Sequence, residues 1–182
     1  MSFPWFKNYP DSIPHEITMG SYNSVVDVVK ESCTQFSEKP CFSNLGLTLN
    51  YRQVDQLSDA FASFLQHELK LEKGDRIAIQ MPNLLQYPVV MFGALKAGLV
   101  VVNTNPLYTV TEMEHQFKDA GVKAVIILAN FANHLEQILP KFPRINIVVT
   151  EVGDMLNPVK KILVNSVVKY VKKMVPKFSL PG

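Results

Sequence analysis

From residue 76 onward, short runs dense in Ile and Val alternate with segments whose apolar residues recur every three or four positions. The dense runs read as buried strands and the wider spacing as helices. The pattern predicts strands at 76–80, 99–102, 123–128 and 145–149, with helices at 83–97, 110–120 and 131–139 between them. A helix separates each strand from the next, so the strands pair in parallel with the helices packed on the sheet faces. The fold class is therefore α/β: an open, mostly parallel sheet with flanking helices and right-handed crossovers.

Upstream, Ser24 and Asp27 form a capping pattern, and Val25, Val28, Val29, Cys33 and Phe36 fall on one helical face. Asn44-Leu45-Gly46, between two short apolar runs, signals a hairpin. Val54, Leu57, Phe61, Phe64 and Leu65 mark a second helix, and Lys73-Gly74-Asp75 the turn after it. Gly98 and Gly121 stand where helix ends need a left-handed residue, and Thr109 with Glu112 supplies a capping box. Residues 1–20 follow neither period and carry Pro4, Pro10 and Pro14 among Trp5, Phe6 and Tyr9, which predicts an extended arm docked on the body or on a second subunit of a homodimer.

The carboxyl-terminal segment is two-sided. Asn157 and Pro158 are placed as N-cap and first residue of a helix extending to about residue 178. Val159, Leu163, Val164, Val167, Val168, Tyr170, Val171, Met174 and Val175 cover one half, and Lys161, Lys169, Lys172 and Lys173 the other. With no acidic residue after Asp154, such a helix suits an anionic membrane surface, its lysines on the headgroups. The bland alternative is that the apolar half packs on the body. The expected organisation is thus an arm (1–20), an α/β body (21–156) and a basic amphipathic helix with its tail (157–182).

Composition narrows the function. No run approaches the 18 or so apolar residues of a membrane span. A net charge of +2 gives no reason to expect a nucleic-acid partner. The start, "MSFPWFKNYP", has no apolar signal core, so a cytoplasmic chain with reduced Cys33 and Cys41 is expected, peripheral to the membrane if the basic helix binds it. His15, His67, His115 and His134 are dispersed and lack zinc-site spacing. Asp55, Asp59 and Asp75 read as solvated surface acids. No glycine-rich nucleotide loop and no nucleophile elbow is present, so no catalytic or metal residue is assigned.

One loop stands out. Asn103 to Tyr108 follows a strand and precedes a capped helix, where parallel α/β sheets gather ligands. Asn103, Thr104 and Asn105 offer neutral hydrogen-bonding groups for a phosphate or other anion, although Glu112 and Glu114 would repel it. The alternative is a turn that caps its own backbone.

"LNYRQVDQLSDAFASFLQ" (49–66), "KGDRIAIQMPNLLQYPVVMFGALKAG" (73–98) and "VVVNTNPLYTVTEMEHQFKDAGVKAVI" (100–126) together resemble the amino-terminal part of adenylate-forming enzymes. The resemblance is closest to bacterial long-chain fatty-acid CoA ligases and extends to "NYPDSIPHEI" and "VVKYVKKMVPKFSLPG". It implies activation of a fatty acid with ATP and Mg²⁺ to an acyl-adenylate, then transfer to the thiol of CoA. It also implies that the phosphate-gripping loop, acyl tunnel and mobile carboxyl-terminal domain lie beyond Gly182. The chain thus resembles the first third of such an enzyme and is expected not to adenylate alone. In relatives that make acyl-CoA, the loop aligned with Asn103, Thr104 and Asn105 lies near the approach of the nucleotide end of CoA, which makes these three the site candidates. Some relatives carry glycines, an aromatic and a nearby arginine there; this chain has Asn-Thr-Asn and no arginine in the next helix. Two alternatives stay open: a related enzyme activating aryl or amino acids, and a non-catalytic membrane-surface or protein-interaction module.

Overall fold

The structure is a computed structural model and describes residues 3–16, 20 and 22–181. Four parallel strands form the sheet in the order β4-β3-β5-β6: β3 (Arg76–Gln80), β4 (Val100–Asn103), β5 (Val122–Leu128) and β6 (Asn146–Thr150). The chain steps one way from β3 to β4, then reverses past β3 to β5 and β6. Right-handed crossovers demand that helices on the two sides of such a reversal lie on opposite faces. The core follows this rule. Ile77, Ile79, Ala124, Ile126 and Leu128 meet Leu65 of α2 (Tyr51–His67) and Val90 and Ala94 of α3 (Gln86–Lys96). On the other face, Ala78, Val125 and Ile127 meet Met113 and Phe117 of α4 (Val110–Ala120) and Leu135 and Ile138 of α5 (Ala132–Ile138).

The expected punctuation is present. Ser24 caps α1 (Val25–Gln35), its side chain accepting the Asp27 N–H. Thr109 and Glu112 close a reciprocal capping box on α4. Gly121 ends α4 at φ +62°, where a side chain would be strained and would also meet the Arg76 guanidinium that caps the Ala120 and Gly121 carbonyls. Asn50 and Gln53 make a second capping box on α2. The hairpin of β1 (Pro40–Asn44) and β2 (Leu47–Asn50) turns through Leu45 and Gly46, both at positive φ, as a two-residue primed turn requires.

Four expectations need correction. The apolar face of α1 is largely open: Cys33 is buried, whereas Val25 and Val28 are exposed. The arm is not uniformly extended. Phe6–Asn8 forms a 3₁₀ turn, and Phe3, Trp5, Phe6, Tyr9 and His15 stack on one another. The three acids are not merely solvated. Asp75 is buried and pairs with Lys123, and Asp55 and Asp59 both hold the buried Lys96 amine, at 2.6 and 2.8 Å.

The fourth correction is the tail. Helix α6 (Pro158–Ser166), capped by Asn157, continues only through a wide turn over Val167–Val171. Lys173 at φ +52° breaks it, well short of residue 178. The chain then returns to the sheet: Asn130, just beyond β5, donates to the Met174 carbonyl, and Leu180 packs on the α4/α5 side of the core.

Candidate functional site

The carboxyl ends of β3, β4 and β5 meet at the point where the strand order reverses, which is where open α/β sheets bind ligands. The loop after β4 must cross this point to reach α4 on the opposite face, so its path runs over the end of β3. The Thr104 N–H donates to the Ile79 carbonyl at 3.0 Å and turns the Thr104 side chain inward, where it is buried. Asn103 and Asn105, on either side, face solvent. Of the three candidates, the structure therefore brings two to the surface.

Side chains from several elements fix this loop. The Tyr87 hydroxyl of α3 donates to Asn103 Oδ1 at 2.8 Å. Gln116 of α4 donates from Nε2 to the Asn103 carbonyl at 3.1 Å. Gln80, at the end of β3 and fully buried, reaches the Asn105 carbonyl from Nε2 at 3.4 Å. Asn105 Oδ1 accepts the Leu107 N–H at 3.0 Å, so the loop does cap its own backbone. His134 Nδ1 lies 3.2 Å from the Tyr108 carbonyl.

The two carboxylates expected to repel an anion are already engaged. Glu114 pairs with Lys141 at 2.7 Å. Glu112 accepts the Thr109 N–H and hydroxyl, and the Thr109 backbone N–H is the main cause that holds its carboxyl below the usual range. The Lys141 pair offsets the charge of Glu114, whereas Glu112, whose partners are neutral, stays ionised and still opposes an anion at this turn.

Tyr87, Gln116 and Gln80 were not found by sequence reasoning. Their partners lie well away along the chain, where no periodicity reaches. One signal was available for Gln80: a glutamine closes an otherwise apolar run, Ile77-Ala78-Ile79, at the ligand edge of the sheet. Tyr87 also lines a mainly apolar cavity of about 360 Å³ between the hairpin and α3, with Phe42, Leu84, Pro88 and Met91. Among the described residues, no group of three or more His, Cys, Asp or Glu side chains gathers to hold a metal ion.

The basic tail is the second candidate surface. Its lysines are engaged differently. Lys161 pairs with Asp154 at 3.0 Å, Lys169 lies over the Tyr170 ring, and Lys172 and Lys173 follow the end of the helix. Helix α6 meets the body through polar groups: Asn165 Oδ1 accepts the Gly153 N–H at 2.7 Å, and Asn165 Nδ2 donates to Glu151 at 2.8 Å. Burial pushes the Asp154 carboxyl up, but donors from the Glu151 backbone, Lys161 and Thr150 outweigh it and hold the group below the usual carboxylate range. Around this anchor the helix leaves apolar surface open, with Val159, Ile162 and Leu163 between 62% and 77% exposed. No helix among the described residues is long and apolar enough to cross a membrane.

A parallel sheet with helices on both faces and an anchored loop at its reversal point defines an open α/β fold. The family profile described as "AMP-binding enzyme" matches residues 29–177, and the chain belongs to that family. It is 47% identical over 177 residues to a long-chain-fatty-acid–CoA ligase of Escherichia coli O157:H7, a match covering 97% of this chain and 32% of that protein. A Bacillus subtilis protein of the same description is 39% identical over 127 residues, 69% of this chain and 22% of the relative. The chain thus spans about a third of the length of the first of these. Among solved structures, a benzoate CoA ligase from Burkholderia xenovorans superposes with TM-score 0.65 at 22% identity, over 78% of this chain and 28% of that one. A long-chain-fatty-acid–CoA ligase from Archaeoglobus fulgidus gives 0.61 at 19%, over 78% and 29%. At these identities the superpositions establish a shared fold.

Proposed function

We propose that this chain is the amino-terminal part of an ATP-dependent long-chain fatty-acid CoA ligase, which joins a fatty acid to CoA through an acyl-adenylate. The observation that carries this reading is the 47% identity across 97% of the chain to a protein of that description. Within it, the Asn103–Asn105 loop meets the nucleotide end of CoA. The donor groups of Asn103 and Asn105 fit a phosphate-bearing ligand. This segment supplies the framework and one wall of the CoA approach.

The test is fatty-acid-dependent exchange of pyrophosphate into ATP, using native protein captured from cell extract by an antibody to residues 1–182. Exchange that requires palmitate is expected, and a captured species much larger than 20.5 kDa should accompany it. The 182-residue chain alone should show none. Exchange driven by benzoate or an amino acid, and not by palmitate, would replace the substrate class.

The open apolar side of α6 favours a second reading, in which the tail rests on an anionic membrane. Val159, Ile162 and Leu163 would enter the acyl boundary while Lys169, Lys172 and Lys173 meet headgroups. Co-sedimentation with phosphatidylglycerol vesicles, weakening with salt, is expected; equal binding to neutral vesicles at high salt would reject it.

A further inference from the structure

We propose that Tyr87 and Gln116 are positioning residues that orient Asn103, so that the loop after β4 presents N–H donors and recognises an acceptor-rich group, a phosphate. The inference rests on the reading above that this loop meets the nucleotide end of CoA, and it names the chemistry of that meeting.

Each Asn side chain has one acceptor and one donor end. At Asn103 the acceptor end is taken: Oδ1 receives the Tyr87 hydroxyl at 2.8 Å. At Asn105 the acceptor end is taken as well, by the Leu107 N–H. Both outward groups are therefore the Nδ2 amide N–H groups. The backbone acceptors are withdrawn by the same device, because the Asn103 carbonyl receives Gln116 Nε2 and the Asn105 carbonyl receives Gln80 Nε2 and the Tyr108 N–H. What remains exposed on Asn103 and Asn105 is a pair of neutral donors. A carboxylate, phosphate or sulfate oxygen complements them, and a cation does not.

A second observation separates positioning from plain stability. The Oε1 atoms of Gln80 and Gln116 are both buried and both lack a donor. A buried carbonyl without a partner is a cost, and in Gln80 the bond gained in return is long. Side chains of this kind are poor choices for packing alone. Their amide N–H groups, in contrast, both end on the same three-residue loop.

The experiment is nuclear magnetic resonance titration of the ¹⁵N-labelled 182-residue chain with adenosine 3′,5′-bisphosphate, and in parallel with adenosine. Wild type should show saturable shifts of the Asn103 and Asn105 side-chain amides with the bisphosphate only. Tyr87→Phe removes one hydroxyl and Gln116→Met one donor, neither adding charge. Each should weaken the bisphosphate about five-fold, the loss of one hydrogen bond, with the thermal midpoint nearly unchanged. Gln116→Asn, which retains an amide donor, should bind more tightly than Gln116→Met. A structural role alone would move the midpoint and leave the preference for bisphosphate over adenosine intact.

If both variants bind the bisphosphate as wild type does, the positioning role is wrong while the CoA reading of the loop stands. If adenosine shifts the two amides as strongly as the bisphosphate, the phosphate assignment is wrong and CoA contact survives. If neither probe shifts them, the inference falls together with the CoA reading of this loop, leaving the ligase assignment to the exchange assay.

Discussion

Helices α4 and α6 are built to one recipe and used in opposite ways. Each follows a strand, each starts at a side-chain cap, Thr109 or Asn157, and each has an apolar half. In α4 that half is the core: Met113 and Phe117 are fully buried against β3 and β5. In α6 it faces outward, and the helix is held by Asn165 and Lys161 on its polar side. An amphipathic pattern therefore predicts that a helix forms, and leaves undecided which face meets the body. Burial of Met113 and Phe117 is what chiefly holds α4; a handful of polar contacts holds α6, and those can be switched off one at a time.

The contrast breaks most sharply by truncation. Phe117→Ala should cost about 3–5 kcal/mol in denaturant unfolding, whereas Leu163→Ala should change stability by less than about 0.5 kcal/mol. An equal loss at the two positions would mean that Leu163 has a cover on this chain.

A smaller effect is expected at Gly153. A Cβ there would lie 2.8 Å from Asn165 Oδ1 and 3.1 Å from the Lys161 carbonyl, so Gly153→Ala should lift α6 from the body. The cost is about 1–3 kcal/mol, seen as faster hydrogen exchange in α6 with α4 unchanged.

The gentlest lever is acid. The Asp154 carboxyl titrates below its ordinary value of about 3.9, so its contribution is complete above that pH and is lost as pH falls through the depressed value. Hydrogen exchange in α6 should accelerate below about pH 4 and by more than in α4, where protonating Glu112 loosens the capping box but leaves Met113 and Phe117 buried. In an Asp154→Asn variant, exchange in α6 should already be faster at neutral pH, with most of the acid response gone.

The sequence disclosed what local rules govern. The α4 boundaries, its capping box and the Gly121 stop were all legible, because each is decided within one turn of chain. Strand β3 was legible for its unbroken apolar run. The end of the tail helix was missed because apolar spacing persists through Met174 and Val175, while the stop comes from Lys173 adopting a left-handed conformation and Asn130 holding the next carbonyl. At the site, the Asn103–Asn105 loop was found from its place after a strand. Tyr87 and Gln116 were not, since a hydroxyl 16 residues away and an amide 13 residues away meet Asn103 only once the sheet has formed.

The strand order has a consequence during synthesis. Strand β3, bordered in the finished sheet by β4 and β5, is the first of the four to be made, and its second neighbour emerges only after β4 and α4. At roughly 5–20 residues per second, Ile77 and Ile79 wait a few seconds with one edge of their strand open. Through that interval α2 and α3 are its available cover, so the first folding unit on the ribosome is one face of the sheet, and the face that carries α4 is added afterwards.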